Sequence, residues 1–312
     1  MKPAATLLNA GPTGAFEELA GQLSPQAVLR RNEPLARRTT LRVGGPADVY
    51  VEPASEPELA AVVRFCRARN LPLFVLGRGS NLLVRDGGFR GVVVCLAQPA
   101  FSRIEAAGEH LRCGAGAKLK AVAVEAKRRG LSGLEFLEGI PGSVGGALRM
   151  NAGAMGGAMF EVVRRVRMMT LDGSIEERVP SELKVHYRRC ATLENHIALG
   201  AVLEGKPGEL EAIEQRMHEF NRKRWSSQPA APSAGCIFKN PPAVPAGKLI
   251  DELGLKGTRV GGARVSMEHG NFLVTDATAT ARDVLELIEL IRQHARSERG
   301  IELETEVEIV GE

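Results

Sequence analysis

The sequence predicts an α+β protein, and three observations predict it. Helix-period and strand-period segments are interspersed along the chain, no internal repeat is visible, and glycines gather in loops between those segments. With 312 residues there is room for two or three domains of roughly 100–200 residues each. An apolar share of 44% is enough to give them cores.

The elements follow in order. Residues 1–24, rich in Ala, Gly and Pro, read as a loosely held extension. The first helix opens at Ser55, with Glu58 completing a capping-box pattern and Leu59, Val62, Val63 and Cys66 on one face. Asn70 and Pro72 stop it. Leu73–Leu76 reads as a short buried strand, and Leu82–Val84 and 92–96 as further strands around the turn Asp86-Gly87-Gly88. A second helix spans 118–129 and ends on Gly130. The stretches 162–170 and 175–179 flank Asp172-Gly173 as a β-hairpin. Helix 210–224 precedes a Pro-rich stretch, 229–245, expected to be irregular. The last helix opens at Thr280, with Asp283 in the reciprocal capping position, and buries Val284, Leu287, Ile288 and Ile291. Alternation over 301–310 has the period of a half-exposed strand.

Several function classes recede on composition. The formal charge is +4 and aromatics are 4%, with no basic stripe, so nucleic acid is not the expected partner. Cys66, Cys95, Cys113, Cys190 and Cys236 are odd in number and form no CxxC pair, so neither a disulfide framework nor a structural metal is expected. Residues 1–20 lack the pattern of a signal peptide, and no long apolar run could span a membrane. The expected compartment is the cytoplasm, with no membrane partner.

Two glycine loops carry the first functional signal. Gly77-Arg78-Gly79-Ser80-Asn81-Leu82 resembles a dinucleotide fingerprint, but leucine stands where the third glycine belongs and the loop runs into a strand-like segment instead of a helix. The loop reads instead as a nest of backbone N–H groups for a phosphate, or as a plain tight turn. The second loop, 139–147, holds Gly139, Gly142, Gly145 and Gly146 around Pro141, and is followed by Asn151-Ala152-Gly153-Ala154. So many glycines describe backbone lying against something flat or anionic. Two such loops suit the two ends of an extended cofactor.

These loops, together with Thr40-Leu41-Arg42-Val43-Gly44-Gly45-Pro46-Ala47, Ala234-Gly235-Cys236-Ile237-Phe238-Lys239-Asn240-Pro241, Ala246-Gly247-Lys248-Leu249-Ile250, Gly254-Leu255-Lys256-Gly257, His269-Gly270-Asn271-Phe272 and Leu303-Glu304-Thr305-Glu306-Val307, resemble the UDP-N-acetylenolpyruvoylglucosamine reductase family. The resemblance runs over roughly 30–311. It implies a two-part FAD-binding half of the vanillyl-alcohol-oxidase-like (PCMH-type) kind and a C-terminal α+β substrate-binding domain. The implied division is 25–95 and 96–206 for the two FAD-binding parts and 207–299 for the substrate domain, with 300–312 returning near the active site. The implied reaction reduces UDP-N-acetylglucosamine enolpyruvate with NADPH through non-covalent FAD. The expected assembly is a monomer or weak dimer.

The resemblance also distributes roles. Arg188, in Tyr187-Arg188-Arg189-Cys190, matches the family's catalytic arginine, and a planar guanidinium suits a carboxylate whose charge grows in the reaction. Cys236 stands where many members carry the proton-donating serine, and a free thiol, with a reference pKa of about 8.5, releases its proton more readily than an alcohol. Glu306 matches the catalytic acid, although Glu302, Glu304 and Glu308 share its strand-period face. For FAD the implied residues are Gly77, Arg78, Gly79, Ser80, Asn81, Leu82, Ile140, Pro141, Gly142, Ser143, Gly145, Gly146, Ala147, Asn151, Gly153 and Ala154. For substrate they are Tyr187, Arg224, Lys239, Asn240 and His269. Arg222, Lys223 and Arg224 either hold ligand phosphates or complement the C-terminus of their helix. Met155 and Thr275 depart from the frequent tyrosine and asparagine, and the tyrosine-bearing loop insertion of one subtype is not evident.

Overall fold

The computed structural model describes residues 12–312; residues 1–11 lie outside it, and with them part of what was expected of 1–20 and 1–24. Within the described part, Pro12–Ala20 is a helix whose Leu19 is fully buried in a core with Leu59 and Val63. This corrects the loose extension expected through residue 24, because an apolar anchor holds it down.

Helix Glu56–Ala68 starts at Ser55, whose Oγ accepts from Glu58 N at 3.4 Å. The Glu58 carboxylate reaches past the cap, accepting from Ala54 N (2.7 Å) and Ser24 N (3.0 Å). Leu59, Val62, Val63 and Cys66 are buried as their spacing requires. The helix covers a four-stranded sheet ordered Val28–Pro34, Pro46–Glu52, Phe89–Cys95, Leu73–Leu76. Its first pair is antiparallel and the other two are parallel. The strand Leu73–Leu76 was expected to be buried, yet only Leu76 is, and Val75 is 37% exposed. The correction has a simple cause: the strand forms part of a cavity wall.

A second sheet is antiparallel throughout, ordered Ile175–Arg178, Val163–Thr170, His196–Glu204, His110–Gly114, Ile104–Ala107. Its hairpin turns at Asp172-Gly173 as expected, with Gly173 at φ 87°. Helix Leu119–Arg128 contributes Leu119, Val122, Ala123 and Ala126 to this unit's core and stops before Gly130 at φ 65°. Helix Leu210–Ser227 joins the same core through Ile213 and Met217. The division expected before residue 207 therefore falls after this helix, since its apolar side is buried in the second unit.

The third unit is an antiparallel sheet, Ser233–Cys236, Phe272–Thr275, Ala263–Val265, Arg259–Val260, covered by helix Ala281–Arg299. Thr280 Oγ1 accepts from Asp283 N (3.1 Å) while Asp283 Oδ2 accepts from Thr280 N (2.9 Å), the reciprocal cap the sequence predicts. The 229–245 stretch is less irregular than expected, because Ser233–Cys236 pairs with Phe272–Thr275. The strand expected over 301–310 is regular only at Glu308–Val310, which lies parallel to Leu82–Val84. Before that, the chain is extended and held by single bonds, Glu306 N to Ile237 O (2.7 Å) and Lys239 N to Glu304 O (2.9 Å). Its alternation reports Leu303 and Val307 entering the third core and implies no continuous ladder.

Candidate active site

A cavity of about 1240 Å³ lies between the first and second sheets. Strand Leu73–Leu76 forms one wall, and Gly77 and Arg78 at the start of the first glycine loop adjoin it. Ser143, Gly145 and Gly146 of the second loop and the segment 115–118 complete it. The backbone there leaves no space for side chains. A Cβ on Gly116 would stand 1.8 Å from Leu96 O, and one on Gly79, at φ 61°, would stand 2.4 Å from Arg38 O. In the same wall the buried Thr39 Oγ1 has no hydrogen-bond partner among the described residues. An orphaned hydroxyl inside a largely apolar cleft, with Arg37, Arg38, Arg67, Arg78 and Arg149 in its lining, fits an extended cofactor carrying a diphosphate.

The candidate cofactor residues separate by position. Ile140, Pro141 and Gly142 line a smaller cavity of about 270 Å³, which shares Arg78 with the large one. Ser80 sits between loops: a Cβ on Gly142 would lie 4.0 Å from Ser80 Oγ, and one on Gly235 3.9 Å from Ser80 O. Leu82 and Ala147 bury their side chains in apolar cores, so a ligand would meet them through their backbone. Asn151, Gly153 and Ala154 are drawn to Arg188: Asn151 Nδ2 donates to His186 O (3.2 Å), and Gly153 O accepts from Arg188 Nη1 (3.1 Å). Ala154 pairs with Gly157 to close the small hairpin beneath.

Arg188 occupies the turn between Val185–His186 and Arg189–Cys190, with φ at 56°, a left-handed conformation uncommon for a non-glycine residue. Its Nε lies 3.0 Å from Glu306 Oε1, yet the buried N–H makes no aligned hydrogen bond. The contact is therefore ionic, and a donor remains for another oxygen. Neighbouring Arg189 is committed to Glu194 at 2.6 Å. Glu306 is fixed from both sides by its own N–H on Ile237 O and by Asn81 Nδ2 donating to its carbonyl (3.0 Å). Burial pushes the Glu306 carboxyl up, against the pull of Arg188.

Cys236 follows Gly235, which turns the strand at φ 73°. Burial, reinforced by Glu306, pushes its thiol up to about 11, with Arg188 and Asn271 opposing. The thiol therefore holds its proton more tightly than the reference value suggests, and the ease of release expected from the sequence is corrected. Asn271, 2% exposed, braces this segment: its Oδ1 accepts from Phe238 N (2.9 Å) and its Nδ2 donates to Phe238 O (2.8 Å).

Among the expected substrate residues, Tyr187 is exposed beside Arg188, and Arg224 Nη1 donates to Gly139 O at 2.9 Å. Lys239 pairs with Glu304 at 2.9 Å. Asn240 and His269 each have one internal partner. Asn240 Oδ1 accepts from Ala246 N (3.0 Å). His269 Nδ1 accepts from Asn271 N (3.1 Å), its ring packs on Phe272, and burial lowers its pKa. Thr275 Oγ1 donates to Leu41 O at 2.6 Å, joining the third unit to the first. Thr39 and 115–117 drew no notice in the sequence, and Thr40 and Lys118 appeared there without a site role; the closely spaced Gly114 and Gly116 were the available signal. Among the described residues, no three His, Cys, Asp or Glu side chains cluster as metal ligands, and no helix is long and apolar enough to cross a membrane.

Residues 47–177 match the family model of an FAD binding domain, and residues 228–310 that of the UDP-N-acetylenolpyruvoylglucosamine reductase C-terminal domain. The chain is similar to the UDP-N-acetylenolpyruvoylglucosamine reductase of Syntrophomonas wolfei, at 41% identity over 95% of this chain and 99% of that one. It is 45% identical to that of Heliobacterium modesticaldum over 90% of each. The crystal structure of the reductase from Thermus caldophilus matches with a TM-score of 0.79 at 41% identity, covering 92% of this chain and 99% of that chain.

Proposed function

The chain belongs to the UDP-N-acetylenolpyruvoylglucosamine reductase family, and on that premise we propose that Arg188, Cys236 and Glu306 carry its chemistry. The protein is an FAD-dependent oxidoreductase that reduces UDP-N-acetylglucosamine enolpyruvate to UDP-N-acetylmuramate with NADPH, in peptidoglycan precursor synthesis. Its FAD-binding half is of the vanillyl-alcohol-oxidase-like kind and its C-terminal part is the substrate domain of the family.

One observation carries the assignment. Three side chains from separate elements converge, and the buried guanidinium N–H among them has no aligned acceptor. Bound in the large cavity, FAD would supply hydride transfer from NADPH to the terminal enolpyruvyl carbon. Charge then grows on the neighbouring carbon and its carboxylate. The Arg188 fork offers donors to that carboxylate. Cys236, protonated at neutral pH, gives its Sγ proton to the carbon. Glu306 holds Arg188 in place and, with its carboxyl pushed up by burial, can pass a proton onward. Gly77, Arg78, Ser143, Gly145, Gly146 and Thr39 would hold the cofactor in the large cavity.

We also assign the chain to the subtype without the tyrosine loop. It has two tyrosines, Tyr50 in a core and Tyr187 beside Arg188, and none is left for such an insertion. A cytoplasmic monomer or weak dimer, divided near residues 95 and 228, completes the reading. The test is an absorbance spectrum of the purified protein followed by anaerobic NADPH and then the enolpyruvyl substrate. Yellow protein that bleaches and recovers its colour supports the reading. Colourless protein that takes up no FAD, or NADPH oxidation indifferent to substrate, overturns it.

A further inference from the structure

The segment 39–43 runs along the seam between the cofactor cavity and the third unit. Thr39 and Thr40 line the cavity, whereas Leu41 and Val43 are buried in the third core. Two threonines bind across this seam in opposite directions. Thr40 Oγ1 donates to Ser233 O at 2.6 Å, and Thr275 Oγ1 donates back to Leu41 O at 2.6 Å. Both bonds close on one stretch of ladder just ahead of Cys236: Ser233 lies opposite Val274, Cys236 opposite Phe272, and Thr275 N donates to Pro232 O at 3.1 Å. Thr40 also grips the cofactor side. Its N–H donates to Gly79 O at 3.1 Å, and its hydroxyl lies 3.3 Å from the same oxygen. A hydroxyl has one hydrogen, and the shorter contact to Ser233 takes it. The backbone of Thr40 therefore holds the first glycine loop while its side chain holds the strand that carries the thiol. That loop is itself fixed, since a Cβ on Gly79 would press on Arg38 and Thr39.

We propose that Thr40 and Thr275 are positioning residues: their reciprocal bonds fix the Cys236 strand against the first glycine loop, and so fix the thiol against the cofactor site. Thr275 stands where asparagine is frequent in the family, and either side chain offers a donor for the Leu41 carbonyl. The inference rests on the function assigned above for what the thiol does once placed, but its placement can be read without turnover. Small displacements of a reacting group are costly, so two hydroxyls remote from the chemistry can still govern its rate.

Thr40→Val and Thr275→Val keep the branched shape and remove the donor. FAD-loaded protein is alkylated at one alkaline pH, and each cysteine is followed by mass spectrometry of its peptide. In both variants alkylation of Cys236 is expected to quicken about 5-fold or more, the usual worth of one lost hydrogen bond. Cys113, buried in the second core, keeps its wild-type rate. Thr40→Ser and Thr275→Ser, which retain the donor, restore the wild-type rate at Cys236. Reoxidation by the enolpyruvyl substrate slows by up to about 10²-fold in the valine variants. Combined with Cys236→Ala, neither valine substitution adds to the loss, because no thiol is left to misplace. Unchanged alkylation of Cys236 overturns the proposal. So do equal quickening at Cys113, which marks general loosening, and losses that multiply with that of Cys236→Ala. Should Thr40→Val fail to fold, Thr275→Val carries the same test from outside the large cavity. Selective quickening at Cys236, in a protein whose wild type the substrate does not reoxidise, supports the positioning and counts against the assigned function alone.

Discussion

Arg188 Nε and Glu306 Oε1 lie 3.0 Å apart with their side chains 23% and 13% exposed, although the two residues belong to different packing units. Such a pair, largely withdrawn from water, is costly to leave half-made. It also places the carboxylate where it acts on a second group, because Glu306 helps to raise the Cys236 thiol and Arg188 opposes it. The three residues are electrostatically coupled, and each can be probed through the others.

Cys236→Ala is expected to let NADPH bleach the flavin at the wild-type rate. Reoxidation by the enolpyruvyl substrate then slows by ~10²–10⁴-fold, the usual worth of a positioned general acid. Cys236→Ser recovers much of the loss. Stopped-flow absorbance separates the two half-reactions, and near-normal reoxidation in the alanine variant would reduce Cys236 to a packing residue.

The pH dependence follows from the raised thiol. A general acid works only while protonated, so the substrate half-reaction holds its rate through about 8.5, where a free thiol ionises, and falls as pH nears about 11. The folded state keeps the proton longer than the unfolded chain does. Stability is therefore intact below about 8.5 and declines from there toward about 11. In Cys236→Ser the kinetic limb disappears; a wild-type limb near 8.5 would contradict the burial argument.

Glu306→Gln removes the carboxylate that reinforces burial in raising the thiol, so that burial alone opposes the pull of Arg188. Alkylation of Cys236 at a fixed alkaline pH should become faster than in wild type, while the substrate half-reaction slows by about 10²-fold or more. Unchanged alkylation would show that Glu306 and the thiol are not coupled.

Arg188→Lys keeps the charge and loses the fork and the bond to Gly153 O. Substrate reoxidation should slow while reduction by NADPH continues. Equal slowing of both half-reactions would make Arg188 a structural residue.

Gly116→Ala puts a methyl 1.8 Å from Leu96 O, and a backbone carbonyl cannot step aside as a flexible side chain would. The expected result is protein that loses its yellow colour on gel filtration and is destabilised by about 1–3 kcal/mol in thermal melts. Full retention of FAD would remove segment 115–118 from the cofactor wall.

Local rules made much of the fold legible. Ser55 and Thr280 are caps, Gly130 is a stop, and the Asp172-Gly173 hairpin is where turn chemistry puts it. What escaped depends on distant partners. Glu306 shares its period with Glu302 and Glu304, and only Arg188, Ile237 and Asn81 distinguish it, none of them near in sequence. Asn240 and His269 sit in motif positions, but one polar atom of each, Asn240 Oδ1 and His269 Nδ1, is spent on the backbone N–H of Ala246 and Asn271. Thr39 and 115–118 are inconspicuous residues made important by a cavity whose other walls come from elsewhere. Arg188 and Cys236 were found through motif order, while the high thiol pKa required knowledge of their burial.

The parallel pairing of Glu308–Val310 with Leu82–Val84 has a consequence for the order in which the molecule is made. The walls of the large cavity come from residues 37–198, whereas Glu306 is translated much later. A nascent chain therefore owns its cofactor cleft well before it owns its carboxylate. Throughout that interval Arg188 lacks its counter-ion, and Leu82–Val84 has an open edge awaiting a strand. Flavin uptake during synthesis can thus precede catalytic competence, which waits until strand Glu308–Val310 has paired with Leu82–Val84 and set Glu306 against Arg188.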